Sequence, residues 1–252
     1  MLPPTDLLIL VGAALLAGAL NAVAGGGSFF TVPAMVVLGI NPVVANATST
    51  VVLWPASVAS AWAYRREVAQ VKREALSLGG VSAVGGLAGA LLLVGTPGEV
   101  FLRVLPFLLL VATLLFTFGN RLKAVLGAHA GERGGRLAAL GLQGFIAVYG
   151  GYFGGGIGLM MLAGLALLGM TDIHRMNGLK TLLSSLINAL AVVTFVLSGV
   201  VDYPLALVMV TSAVVGGFLG AVWARKLDPR WVRGFVIAVG WSMTAYFFLR
   251  TW

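Results

Sequence analysis

Between Ala75 and Val94 the chain runs for 20 residues without a charge, and between Tyr203 and Ala224 for another 22. Roughly 20 helical residues cross a ~30 Å hydrocarbon core. Unpaired backbone polar groups cannot face lipid, so such runs must be helices. Further apolar stretches lie at Leu7–Leu20 and Phe101–Phe118. Only 10% of the 252 residues are charged and the mean hydropathy is +1.02, whereas a soluble domain carries about 25% charged residues. The expected fold class is all-α, a polytopic integral membrane protein.

The net charge of +8 and the pI near 10.5 raise nucleic acid as a partner. The placement of the charges argues against it. Arg65, Arg66, Lys72 and Arg73 share one short loop; Arg121, Lys123, Arg133 and Arg136 share a second; Arg225, Lys226, Arg230 and Arg233 share a third. The loops at 95–99 and 198–203 hold no lysine or arginine. Cytoplasmic loops collect Lys and Arg, so the three basic loops are expected inside, with both termini outside and the chain multi-pass in a plasma membrane. "MLPPTD" lacks the positive start of a signal peptide, so residues 5–24 are expected to be retained as a membrane segment. With no cysteine, disulfides and thiol chemistry are excluded.

The sequence repeats itself. "GGGSFFTVPAMVVLGI" from Gly25 is answered by "GGGIGLMMLAGLALLGM" from Gly154. Asn46 and Thr50 recur as Asn177 and Thr181, and "GGLAGAL" from Gly85 recurs as "GGFLGAV" from Gly216, all at an offset of 131. The expected organisation is a first membrane repeat over 1–119, a basic linker over 120–135 and a second repeat over 136–252. The loop at 64–74 is basic while its counterpart at 198–203 is not. The halves should therefore face opposite ways, an inverted-topology plan used by many secondary transporters.

Each half holds about five hydrophobic segments, in the first half roughly 5–24, 28–39, 43–64, 74–95 and 101–118. The second, "SFFTVPAMVVLG", and its partner "IGLMMLAGLALLG" are too short to span. A break and a re-entrant half-helix are expected after each glycine triplet. A break inside a membrane is tolerated only where it is buried in protein or lines a watery cavity. The half-helix then starts with free N–H groups and about +0.5 of partial charge. Glycine lets a ligand approach that backbone. Two such starts, at Gly26–Ser28 and Gly155–Gly158, would make an anion site between the halves. Ser28 could cap its half-helix or donate to a ligand. "GGLAG" and "GGFLG" instead suit close helix packing. No Gly-Lys-Ser/Thr follows the triplets, so they are not phosphate loops.

All eight carboxylates lie at segment ends, whereas Lys180 lies inside an apolar segment with no acidic residue within seven positions. An intramembrane charge by default marks function, though a lysine can also snorkel back to the interface. Lys180, Ser184 and Asn188 share one helical face with Thr181 and Ser185 alongside. Asn46, Thr48 and Thr50 offer similar groups in the first half. These side chains could complete an anion's hydrogen bonds or simply hold helices together. His129 and His174 have no acidic pair, cysteine or Gly-x-Ser-x-Gly motif beside them, which argues against an enzyme.

The segments "NAVAGGGSFFTVPAMVVLGINPVVANATST" and "YGGYFGGGIGLMMLAGLALLGMTDIHRMNGLKTLLSSLIN" resemble the sulfite exporter TauE/SafE family of bacterial membrane transporters. The resemblance implies export or uptake of sulfite, sulfonates or other small sulfur-containing anions across the inner membrane. It also implies that Gly25–Gly27, Gly154–Gly156 and Lys180 lie near the transport path. The full candidate binding set is Asn21, Gly25, Gly26, Gly27, Ser28, Asn46, Thr48, Thr50, Gly154, Gly155, Gly156, Lys180, Thr181, Ser184 and Asn188. No metal or cofactor is expected. A secondary transporter is the leading reading, and a passive anion channel on the same scaffold is the alternative.

Overall fold

The structure is a computed structural model that describes residues 3–23, 26–128, 135–223 and 229–252. Gly25, His129, Arg133, Arg225 and Lys226 lie outside the described residues. The helices are α1 (Pro4–Val23), α2 (Ser28–Val37), α3 (Pro42–Ala63), α4 (Arg65–Val68), α5 (Lys72–Val94), α6 (Gly98–Ala128), α7 (Gly135–Tyr152), α8 (Ile157–Leu167), α9 (Ile173–Leu197), α10 (Tyr203–Trp223) and α11 (Pro229–Thr251). No strand occurs among the described residues. Five of the helices described, α1, α3, α5, α6 and α9, are long and apolar enough to cross a membrane. Leu76, Leu197, Phe218 and Leu249 stand largely exposed on the outer surface, as a lipid-facing wall requires. The protein is an all-α, multi-pass membrane protein.

Pro33, Pro55 and Pro106 all sit inside helices. An interior proline removes one backbone hydrogen bond, and membrane helices tolerate that where neighbours restore the freed groups. The glycines, and not Pro33, therefore interrupt the first apolar run. Helix α6 continues to Ala128, beyond the apolar segment expected to end at 118, and takes in part of the stretch read as a linker. The single turn of α4 was not anticipated; it places Glu67 against Gly178 of α9.

Glycines set the closest helix contacts. A Cβ on Gly85 would meet Ala147 at 2.6 Å, one on Gly89 would strike the Val148 carbonyl, and one on Gly216 would strike the Leu15 carbonyl. These positions press α5 onto α7 and α10 onto α1. Gln143 Nε2 donates to Ser82 Oγ at 2.8 Å across the α5–α7 contact.

Two other pairs run antiparallel. Along α3 and α9, Tyr64 lies beside Gly178, Trp54 Nε1 donates to Ser185 O at 3.2 Å, and Thr48 Oγ1 accepts from Asp202 N just past α9. Along α6 and α11, Thr113 meets Thr244, while Phe107 packs on Phe248 and Trp252. Trp54–Ser185 and Thr113–Thr244 are each separated by 131 residues. That separation is the offset at which the sequence repeats.

The two short helices are the hubs of the core. Ser28 to Pro33 of α2 are all buried, with Phe29 fully enclosed and packed on Phe30 and Phe116. Ile157, Met161, Leu162 and Leu165 of α8 join Leu179, Leu183 and Ile187 of α9 in a second cluster. Broken backbone thus sits inside protein, where a bilayer allows it.

Candidate functional site

The first break is anchored by Asn21 at the end of α1. Its Oδ1 accepts from Gly26 N at 3.3 Å, and its Nδ2 donates to Ser57 Oγ of α3 at 3.4 Å. Gly26 has φ +95°, a conformation that side chains beyond hydrogen rarely adopt. A Cβ there would also collide with the Gly156 nitrogen. The two breaks therefore touch, backbone to backbone.

From this point the chain doubles back. Gly27 lies against Ala17 and Leu53, and Thr31 of α2 then hydrogen-bonds Ser49 of α3. Helix α2 thus runs against α3 and retraces α1. The second break does the same. Phe153 and Gly154 both donate to Tyr149 O, at 2.9 and 3.3 Å, which closes α7. Tyr149 Oη donates to Gly155 O at 2.8 Å, and Gly156, at φ +75°, caps α8. Ile157 then meets Gly150, and Gly164 meets Ile146 and Leu142, so α8 retraces α7. At about 15 Å and 16 Å long, neither half-helix could cross a bilayer.

A cavity of about 90 Å³ opens where the breaks meet α3 and α9. That is room for several waters, and so for a small ion. Asn21, Gly26, Gly27 and Ser28 line it from the first break; Gly154, Ile157 and Gly158 line it from the second. Helix α3 contributes Thr50, Leu53, Ser57, Ser60 and Tyr64, and α9 contributes Asn177, Lys180, Thr181, Ser184 and Asn188. The starts of both half-helices thus border one space. Lys180 is the only charged side chain on the described lining and is just 7% exposed. Among the described residues no group of three or more His, Asp or Glu side chains is placed to hold a metal. The site can offer hydroxyls, amides, helix N-termini and one ammonium, the donor set of an anion site.

The family model described as "Sulfite exporter TauE/SafE" matches residues 10–247. This chain belongs to that family. Relatives similar over most of their own length carry transporter descriptions. A "Probable membrane transporter protein YfcA" from Escherichia coli (strain K12) is 27% identical over 97% of this chain and 90% of its own. A "Probable membrane transporter protein" from Haemophilus influenzae is 28% identical over 95% of this chain and 94% of its own. The "Probable membrane transporter protein ORF9" of a Sinorhizobium species is 27% identical over 90% of this chain and 86% of its own. No solved structure matches the chain at a significant level. The family assignment makes this a membrane transporter.

In this TauE/SafE member, Asn21, Gly26, Gly27, Ser28, Thr50, Gly154, Lys180, Thr181, Ser184 and Asn188 come together on the cavity wall. Four other residues expected at the site do not line it. Asn46 donates to Tyr152 O at 2.7 Å, and Thr48 is tied to Asp202. Gly155 accepts from Tyr149, and Gly156 packs on Ala112. Ser28 is the first residue of α2 and not its cap; Gly27 holds that place without a side-chain bond. Sequence reasoning passed over Ser57, Ser60 and Tyr64. Their signal was the spacing from Thr50, whose helical face they continue.

Proposed function

We propose that this transporter is a secondary carrier that exports a small sulfur-containing oxyanion or organosulfonate such as sulfite. The observation that carries this reading is the shared cavity, lined by Gly27 and Ser28 at one half-helix start, by Ile157 and Gly158 at the other, and by Lys180 of α9. Two half-helix N-termini supply positive potential without a counter-charge, and Lys180 adds a full charge. The family description supplies the substrate class. The halves are read as inverted repeats that rock past each other in alternating access. Antiparallel contact between recurring positions, Trp54 with Ser185 and Thr113 with Thr244, supports that reading. The basic loops are read as cytoplasmic in an inner membrane.

Sulfite binding to purified protein tests it. Wild type should be stabilised by sulfite in a thermal-shift assay, and Lys180→Ala should weaken binding about tenfold or more, the loss expected for a charged hydrogen bond. Binding that is unchanged in Lys180→Ala removes Lys180 from the site; no shift with any sulfur anion removes the substrate class.

A further inference from the structure

The cavity is unevenly built from matched positions. At its centre both members of each pair line it: Thr50 with Thr181 and Ser57 with Asn188, each 131 apart. Toward α4 the match fails. Ser60, Tyr64 and Asn177 line the cavity, whereas the positions 131 away, Ala191, Phe195 and Asn46, are sealed at 0%, 0% and 1% exposure. The cavity has one open arm, and the place of its counterpart is closed.

Asn46 is an odd residue to seal. Its Nδ2 donates to Tyr152 O at 2.7 Å, which fixes the amide, since the flipped form would set oxygen against oxygen. Its Oδ1 is then buried with no hydrogen-bond partner. Stranding a buried carbonyl is unfavourable, and a leucine or alanine would fill the place without that loss. An asparagine makes sense there if another state wets it. Ser49, which corresponds to Lys180, lies one turn on and is fully buried against Thr31 of α2. The open arm has Asn177 and Lys180 at the same spacing.

We propose that Asn46 and Ser49 belong to a second, shut arm of the anion path, leading to the face away from the basic loop at 64–74. This rests on the alternating-access reading above. The bond from Asn46 to Tyr152 ties α3 to the end of α7, across the two halves, and is the latch that parts when the second arm opens. Asn46 Nδ2 then turns to the anion and Oδ1 to water.

The chain has no cysteine, so single cysteines report without background. Asn177→Cys, Asn46→Cys, Ser49→Cys and a buried control on the same helix, Ala47→Cys, are reconstituted in oriented vesicles. A membrane-impermeant maleimide is then applied to each side, with and without a sulfite gradient. Asn177→Cys should label from the basic-loop side. Asn46→Cys and Ser49→Cys should label only from the opposite side. With a minor state populated at about 0.1–10%, they should label about 10–1,000-fold more slowly, and faster under the gradient. Ala47→Cys should stay silent. Silence of both Asn46→Cys and Ser49→Cys from the opposite side, or labelling of Ala47→Cys at their rate, overturns the shut arm. The transporter reading fails separately if sulfite neither protects Asn177→Cys nor crosses the vesicle.

Discussion

Helices α3 and α9 stand 131 residues apart, position for position, and they reach the cavity with different chemistry. Each is opened by a side-chain cap, Asn41 for α3 and Asp172 for α9, each accepting from the backbone two and three residues on. Each then turns one polar face to the cavity. The polar groups of the α3 face are all hydroxyls, from Thr50, Ser57, Ser60 and Tyr64; the face of α9 adds amides and an ammonium, from Asn177, Asn188 and Lys180, to the hydroxyls of Thr181 and Ser184. Where α9 has Lys180, α3 has Ser49. The backbone frame recurs while the charge belongs to one half alone, so geometry and electrostatics can be perturbed separately.

The largest effect should come from the frame. Gly26→Ala forces a side chain into the left-handed region, at about 1–2 kcal/mol, and drives its Cβ into the Gly156 backbone. Loss of monodisperse, cooperatively melting protein is the expected outcome. Gly12→Ala, within α1 and with open space around it, should melt at or slightly above wild type, because alanine is the better helix former. Equal melting of the two variants would mean that the breaks are not held in contact.

The next effect concerns charge. Lys180→Ser gives α9 the residue that α3 carries at the matched place. Sulfite affinity should fall about 10–150-fold, the range for losing a charged hydrogen bond of about 1.5–3 kcal/mol. The folded state should survive, since the α3–α9 bonds of Trp54 to Ser185 and of Asp202 to Thr48 do not run through Lys180. Titration calorimetry reads the first and thermal melting the second. An affinity within twofold of wild type would assign the anion's attraction to the half-helix starts alone.

Much of this frame was legible in the sequence. Apolar run length and the glycine triplets set where α1, α2, α7 and α8 begin and end, because a bilayer leaves few other solutions for such segments. The polar stripe at Lys180, Ser184 and Asn188 was legible for the same reason, as a 3.6-residue period. Helix phase against neighbours was not. Asn46 and Thr50 share a face of α3, yet the cavity takes Thr50 and continues to Tyr64, leaving Asn46 against Tyr152. That choice is made by α7 and α9, far away in sequence. The turn of α4 and the burial of Glu67 Oε2 beside α9 were likewise out of reach, since four residues carry no periodic signal.

Thr48 gives a smaller test of the division between site and scaffold. Thr48→Val removes the acceptor for Asp202 N, a bond of 3.0 Å. Stability should fall by about 1 kcal/mol, with sulfite affinity within error of wild type. A loss of affinity without a loss of stability would return Thr48 to the anion path.

The smallest effect separates the two caps. The Asp172 carboxyl is held below its ordinary range, first by the backbone N–H of Arg175, then by that of His174 and the positive charge of both side chains, with desolvation opposing. A depressed folded pKa makes its contribution present above the unfolded value near 3.9 and lost as pH falls through the lower folded value. Asn41 accepts the same two bonds, 3.0 Å from Val43 N and 3.4 Å from Val44 N, with no proton to gain. Asp172→Asn should therefore keep the cap and flatten the acid side of the stability curve slightly, while Asn41→Asp should steepen it. Melting temperature against pH, from neutral to below pH ~4, reads both. If Asp172→Asn follows wild type throughout, the carboxylate charge at the start of α9 adds nothing to its cap, and the two caps are equivalent despite the charges of Arg175 and Lys180 on α9 alone.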